Sequence, residues 1–190
     1  MLKIHFVTGN KTKFSDVAQF FKEFAPEIEL VMCDLNVPEI QSLDVKAVVD
    51  KKAEYAWNII QQPVLVDDGG LYLERFNQFP GTLSKFVMEG LGPEGFWLLA
   101  KEDPRAYFLC YLVYKFSPDQ QVSVRGYLRG TIVAPTHIDD VCFPYRSMFI
   151  PENEQETFST ISKKENTDRF NHRRLAVKEL VGYIINGKQL

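Results

Sequence analysis

Cysteine is scarce in this chain. Cys33, Cys110 and Cys142 are odd in number and far apart, and no C-x-x-C pair occurs. That excludes a disulfide framework and a cysteine-bound zinc, and it points to the reduced thiols of a cytoplasmic protein. Long apolar runs are also missing. None approaches the roughly 18 residues that a membrane span needs. The first apolar stretch is broken by Gly9-Asn10-Lys11, which is not the pattern of a signal peptide. Positive charge is not in excess. Lysine and arginine number 22 against 25 aspartates and glutamates, for a net charge of −3, so there is no global field to hold nucleic acid. There is no internal repeat and no low-complexity segment. What remains is the ordinary balance of a globular protein, with 45% apolar and 25% charged residues. A length of 190 residues suits one domain, or one domain with two lobes, with a core that needs no staples.

The chain is organised around Val64–Leu73. Three β-favouring apolar residues run into Asp67-Asp68, and Gly69-Gly70 follow at once. This predicts a buried strand that ends in charged residues at an edge of the sheet. In α/β sheets ligands are met beside such strand ends. Adjacent strand residues face opposite ways, so the two carboxylates should do different jobs. The plainer reading is a solvated Asp-Asp-Gly-Gly turn.

Before this stretch, Ile4–Thr8 reads as a short strand. Phe14, Val17, Ala18, Phe21 and Phe24 then recur at helical spacing, so the pattern predicts a helix from Lys11 to Phe24. A strand, a tight Gly turn and a helix start make an anion site, because free backbone N–H groups and the helix dipole favour negative charge there. Thr8, Asn10, Lys11 and Lys13 surround the point with donors and cations. The bland alternative is a cap with solvated lysines. Glu27–Cys33 is a second strand, and Asp34–Leu43 a loop carrying Glu39. Val45, Val48, Val49, Ala53, Ala56 and Ile60 mark a second helix.

After Leu73, Phe79-Pro80-Gly81 is a turn, and Ser84–Glu89 and Pro93–Ala100 are two short helices. Ala106–Phe116 is apolar at almost every position, as in a strand covered on both sides. Val122–Val133 is its hairpin partner, with Gly126 and Gly130 as bulges or points of close approach. Ser162–Arg174 is the one locally basic stretch, and Val177, Leu180, Val181 and Ile184 form the stripe of a last helix.

Three features converge: the cationic helix start, the carboxylates Glu39, Asp67 and Asp68, and the basic segment Asn171-His172-Arg173. Carboxylates beside a phosphate site repel the ligand unless a divalent metal lies between them. Mg²⁺ suits this, since it takes one or two carboxylates plus phosphate oxygens. A remaining carboxylate can then orient or deprotonate water. In outline this is a nucleotide polyphosphate hydrolase.

At this point the residues resemble a known family, the inosine triphosphate pyrophosphatases or Ham1-like proteins. The anchors are Phe6-Val7-Thr8-Gly9-Asn10-x-x-Lys13, Val37-Pro38-Glu39-Ile40-Gln41, Pro63–Asp68, Phe79-Pro80-Gly81, Leu91–Gly95, Gly130–Pro135 and His172-Arg173. The resemblance runs from Phe6 to about Leu180. It implies an α/β fold of the Maf/ITPase-like type: a single two-lobed domain over residues 1–190, with an elongated, strongly twisted mixed sheet and a central nucleotide cleft. It implies a homodimer that uses Mg²⁺ to cleave ITP, dITP or XTP to monophosphate and pyrophosphate, with no nucleic-acid or membrane partner. By position, Thr8, Asn10 and Lys13 would hold phosphates. Glu39, Asp67 and Asp68 would serve the metal, and Asp68 would be the base that activates water. Phe143 would stack on the purine beside Tyr145. His172 and Arg173 would read the 6-keto oxygen.

The departures from the family pattern cluster at the base. Phe143-Pro144-Tyr145-Arg146-Ser147 stands where the family reads Phe-Gly-Trp/Tyr-Asp-Pro. Proline fixes φ and removes an N–H. Arginine for aspartate reverses a charge, and one unit pair at ~4 Å is worth about 4 kcal/mol at an effective dielectric of ~20. Thr167 replaces a family lysine. Three outcomes are therefore open: the ordinary family activity, an altered base preference, or nucleotide or partner binding without turnover.

Overall fold

The structure is a computed structural model that describes residues 2–138, 143–164 and 171–187. Thr167 and Cys142 lie outside the described residues. The elements run β1 (Leu2–Val7), α1 (Lys11–Phe24), β2 (Ile28–Cys33), α2 (Val45–Ile60), β3 (Val64–Leu73), α3 (Ser84–Ala100), β4 (Arg105–Lys115) and β5 (Gln121–Ile132). They close with α4 (Tyr145–Met148), β6 (Phe149–Pro151), α5 (Phe158–Lys164) and α6 (His172–Asn186). The strands form one mixed sheet in the order β2-β1-β3-β4-β5-β6. β1 runs parallel to β2 and β3, while β5 and β6 are antiparallel. The helical periodicities placed α1 and α2 correctly, and Gly92 divides α3 into the two expected pieces.

One expectation is corrected. β3 does not end at its carboxylates and does not lie at an edge. It continues through Gly69-Gly70 to Leu73, between β1 and β4. Asp67 and Asp68 sit mid-strand because side chains from the helices compensate their charge, so no turn into solvent is needed. Gly70 serves close approach rather than a turn. A Cβ there would lie 2.0 Å from the carbonyl oxygen of Gly81 and 2.6 Å from Ser84 Oγ.

The chain forms two compact units. The first comprises Met1–Asp68, Cys110–Gly126 and His172–Leu190. It has two cores. In one, Ile4, Phe6 and Leu65 of the sheet meet Val17, Phe20 and Phe21 of α1 and Val177 and Leu180 of α6. In the other, Val7, Val64 and Val66 meet Val49, Ala53 and Ala56 of α2. Both are continuous apolar clusters of buried side chains, and each fully buried Val, Leu, Ile or Phe among them is worth about 1.5–3 kcal/mol on removal from water. The second unit comprises Gly69–Leu109 and Tyr127–Asn171. Its core gathers Leu71, Leu73, Phe96, Phe108, Tyr145, Phe149 and Phe158.

Gly126 lets the start of α6 lie against β5. A Cβ on Gly126 would stand 1.9 Å from the carbonyl oxygen of His172. Gly182, inside α6, has nothing within 4 Å of an added Cβ. The two glycines therefore respond oppositely to alanine. Gly126→Ala forces backbone apart at about 2 kcal/mol, which lowers the melting temperature by about 4–8 °C. Gly182→Ala raises helix propensity by about 0.5–1 kcal/mol and the melting temperature with it. Calorimetry of the two variants checks both signs.

Candidate active site

Strand alternation decides what each carboxylate meets. Leu65 points to the α1/α6 core, and Val64 and Val66 to the α2 core. Asp67 shares the parity of Leu65, and Asp68 that of Val66. Their partners follow. Lys13 Nζ of α1 donates to Asp67 Oδ1 at 3.2 Å, and Arg173 Nε of α6 donates to Asp67 Oδ2 at 3.4 Å. Lys52 Nζ of α2 donates to Asp68 Oδ2 at 3.0 Å. The adjacent acids thus engage separate sets of cations.

Asp67 is 3% exposed. Burial pushes its pKa up, but the charges of Lys13, Arg173 and Lys52 outweigh that and hold the carboxyl below the usual carboxylate range. Arg173 is braced in turn by Asp16, one turn along α1 from Lys13, at 3.7 Å.

Lys52 joins the candidate site without having been singled out in the sequence. Its Nζ donates to Glu39 Oε1 at 2.6 Å and to the backbone oxygen of Asp67 at 3.4 Å, as well as to Asp68. Three acceptors use the three donors of an ammonium. Its side chain is 13% exposed, against 62% for Glu39, which lies on the segment 34–44 that has neither helix nor strand. Burial pushes the Lys52 pKa down, yet Asp68 and Glu39 overcome this and raise it above the ordinary lysine value. A signal for Lys52 was present. It falls at helical spacing among Val45, Val48, Val49 and Ala56, a lysine inside an apolar stripe.

Among the described residues no group of three or more histidine, cysteine or carboxylate side chains could hold a metal. Glu39 and Asp68 nevertheless place two hard carboxylate oxygens on one shared cation, the Lys52 ammonium. Two carboxylates completed by phosphate oxygens and water are what Mg²⁺ ordinarily takes, so these residues fit. Asp67 stands apart from that pair, since each of its oxygens is engaged by Lys13 or Arg173.

The other expected residues fall in two places. Thr8 and Asn10 build the start of α1: Asn10 Oδ1 accepts from the Lys13 N–H at 3.0 Å, and Thr8 Oγ1 from the Asn10 N–H at 3.1 Å. His172 opens α6 beside Arg173. Phe143 and Tyr145 belong to the second unit. Phe143 is 39% exposed and rests on Phe108 and Tyr145, with both ring centroids 5.8 Å away. Tyr145 is committed to the core at 1% exposure. Its hydroxyl donates to the Ser84 carbonyl at 2.7 Å, and its ring meets Phe96 edge-on. Pro144 sits at φ −55°, inside the range that proline dictates, and caps α4 without strain. The Arg146 guanidinium lies over the Phe158 ring, 4.4 Å from its centroid.

Comparison with known proteins gives a consistent answer. Residues 4–183 match the Ham1 family. A dITP/XTP pyrophosphatase of Methanopyrus kandleri is 32% identical over 187 residues, covering 97% of both chains. One of Methanosarcina mazei is 33% identical over 189 residues, covering 98% of this chain and all of its relative. The inosine triphosphate pyrophosphatase of Schizosaccharomyces pombe is 31% identical over 188 residues, covering 97% and 96%. Among solved structures, the Ham1 protein of Staphylococcus aureus shares the fold with a TM-score of 0.76 over 98% of this chain and 100% of that one, at 22% identity. Because the match spans nearly every element that carries the carboxylates and their cations, the chain belongs to the Ham1 family.

Proposed function

We propose that this protein hydrolyses non-standard purine nucleoside triphosphates, namely ITP, dITP and XTP, to the monophosphate and pyrophosphate. The observation that carries the reading is the Glu39–Lys52–Asp68 cluster beside the Lys13–Asp67–Arg173 cluster in one unit. The names of the full-length relatives agree with it.

In this reading Glu39 and Asp68 would hold a divalent cation, for which we propose Mg²⁺. When bound, that ion neutralises phosphate charge and makes the α-phosphorus more electrophilic. Asp68 accepts the proton of the attacking water on its carboxylate. Asp67 is the buried anion that aims Lys13 and Arg173, whose charges are worth more there than in water. Lys13, with Thr8 and Asn10 at the α1 start, holds the departing pyrophosphate. Lys52 balances the charge of the two carboxylates that would hold the ion. Phe143 stacks on the base, and Tyr145 holds Phe143 in place from the core. His172 and Arg173 donate to the 6-keto oxygen; a donor left unmatched by adenine costs about 1–3 kcal/mol. We further propose a homodimer working in the cytoplasm. No described helix is long and apolar enough to cross a membrane.

A second reading rests on Arg146. Its cation, seated on the Phe158 ring three residues after Phe143, replaces an acid of the family pattern and alters base preference while the hydrolytic residues stay intact.

Pyrophosphate release with Mg²⁺ across ITP, XTP, dITP and the common nucleotides tests the reading. Preference for ITP, dITP and XTP is expected, and release from none overturns it. Asp68→Asn should lower turnover by about 10²–10⁴-fold, the worth of a general base, while nucleotide still binds. Wild-type turnover in that variant removes Asp68 from the role.

The depressed pKa of Asp67 sets a pH dependence. A carboxyl lowered on folding contributes stability that is complete above the unfolded value of about 3.9 and is lost as pH falls through the folded value. Asp67→Asn should therefore cost about 3 kcal/mol at neutral pH, as for a buried pair with one partner removed. Denaturant melts from pH 7 down to pH 3 should show the gap to wild type narrowing below about pH 4.

Arg146→Asp should raise the ratio of kcat/KM for ITP over ATP. The ratio cancels the stability lost with the Phe158 contact. An unchanged ratio places Arg146 outside base selection.

A further inference from the structure

A groove of about 550 Å³ lies within the first unit, lined by none of the residues of the two carboxylate clusters. Its apolar lining is Ile40, Ala47, Trp57 and Pro118, from the loop before α2, from α2 itself and from the turn between β4 and β5. Ile40 is 44% exposed, large for an isoleucine with an apolar groove beside it. The amides of Asn58 and Gln121 and the ammonium of Lys115 supply the polar part.

Lys115 is the telling residue. It is 8% exposed, and its Nζ donates to the Pro118 carbonyl at 2.6 Å. Among the described residues no carboxylate forms an ion pair with it. A buried ammonium has three donors and is costly without an anion. The acids at the rim form no ion pair with it, although the charge of Lys115 reaches Glu54. Asp50 takes Lys46 and the Gln121 amide, the latter at 2.9 Å, and Glu54 takes Lys51 at 2.7 Å. Those same acids disfavour a ligand with several negative charges, which sets the groove apart from a triphosphate site.

We propose that this groove binds a small planar molecule carrying a single carboxylate. The carboxylate meets Lys115, the ring lies among Trp57, Ile40 and Pro118, and the amides orient it. Occupancy is read by the reaction through chain neighbours: Ile40 adjoins Glu39, and Lys51 adjoins Lys52. A ligand that fixes Ile40 fixes Glu39 on its otherwise irregular segment. This coupling rests on the hydrolase reading above; the binding does not.

The test uses the full chain with 2-naphthoate and its neutral match, 2-naphthamide, in calorimetric titrations. The acid should bind about tenfold or more tightly than the amide. Lys115→Met should abolish that preference. Ala47→Phe, which fills the groove without touching the buried charge, should weaken both ligands about tenfold and leave the melting temperature in place. Equal binding of acid and amide, or undiminished binding in both variants, overturns the site. So does dissociation of a dimer by Ala47→Phe in light scattering, because a second copy would then cover the groove. Saturating 2-naphthoate should shift KM for ITP about fivefold in wild type and not in Ala47→Phe. Binding with no such shift overturns the coupling alone. Absence of pyrophosphate release from every nucleotide overturns the hydrolase reading and leaves the binding result standing.

Discussion

Two neighbouring negative charges on a central strand are the constraint to which the first unit answers. Val64, Leu65 and Val66 are fully buried, so β3 carries Asp67 and Asp68 into surroundings where a bare carboxylate is untenable. The pleat sends one to each face, and each face must bring cations. On one side α1 brings Lys13 and α6 brings Arg173. On the other, α2 brings Lys52, which also draws in Glu39. The helices that bury the apolar faces of the sheet are therefore the helices that hold the charges. Packing and chemistry cannot be varied independently here, because moving a helix to repack a core moves a cation off its acid.

Much of this was legible in the sequence, and for identifiable reasons. The 3.6-residue stripes of α1 and α2 are long and bounded by Asn10, Pro26, Asp44 and Pro63, so those helices declare themselves. The opposite facing of Asp67 and Asp68 follows from strand geometry alone. What misled was Asp-Asp-Gly-Gly, which carries every local signal of a turn. Tertiary structure overrides it: Gly70 gives room to the Gly81 backbone, and the acids find partners more than a dozen residues away. Lys52 was missed because a lysine on a helix reads as solvated. Only its register within the apolar stripe distinguishes it from Lys51, whose side chain is 62% exposed.

The altered loop of the second unit shows how a family pattern can change without breaking its frame. Proline for glycine removes freedom, but φ at Pro144 is one that proline prefers and that opens a helical turn. Tyr145 keeps its ring in the core and its hydroxyl on Ser84, so the support beneath Phe143 survives. Arg146 finds the face of Phe158, which accepts a cation as an aspartate could not be accepted. The substitutions agree with one another: the proline shapes the turn, and the aromatic cluster takes up the new charge.

The same logic separates the two lysines that α2 and β4 bury. Lys52 and Lys115 are both largely withdrawn from water, yet one has three protein acceptors and the other a single carbonyl. A charge satisfied by the protein is explained by the protein. Lys52 belongs to a closed set with Glu39 and Asp68, and its burial serves to hold two acids close enough to share a cation. Lys115 closes no such set among the described residues, and it lines an open groove with an aromatic wall. The difference in partners, rather than the shared burial, separates them: the protein itself closes the contacts of Lys52, whereas Lys115 is the residue on which the proposed ligand site rests.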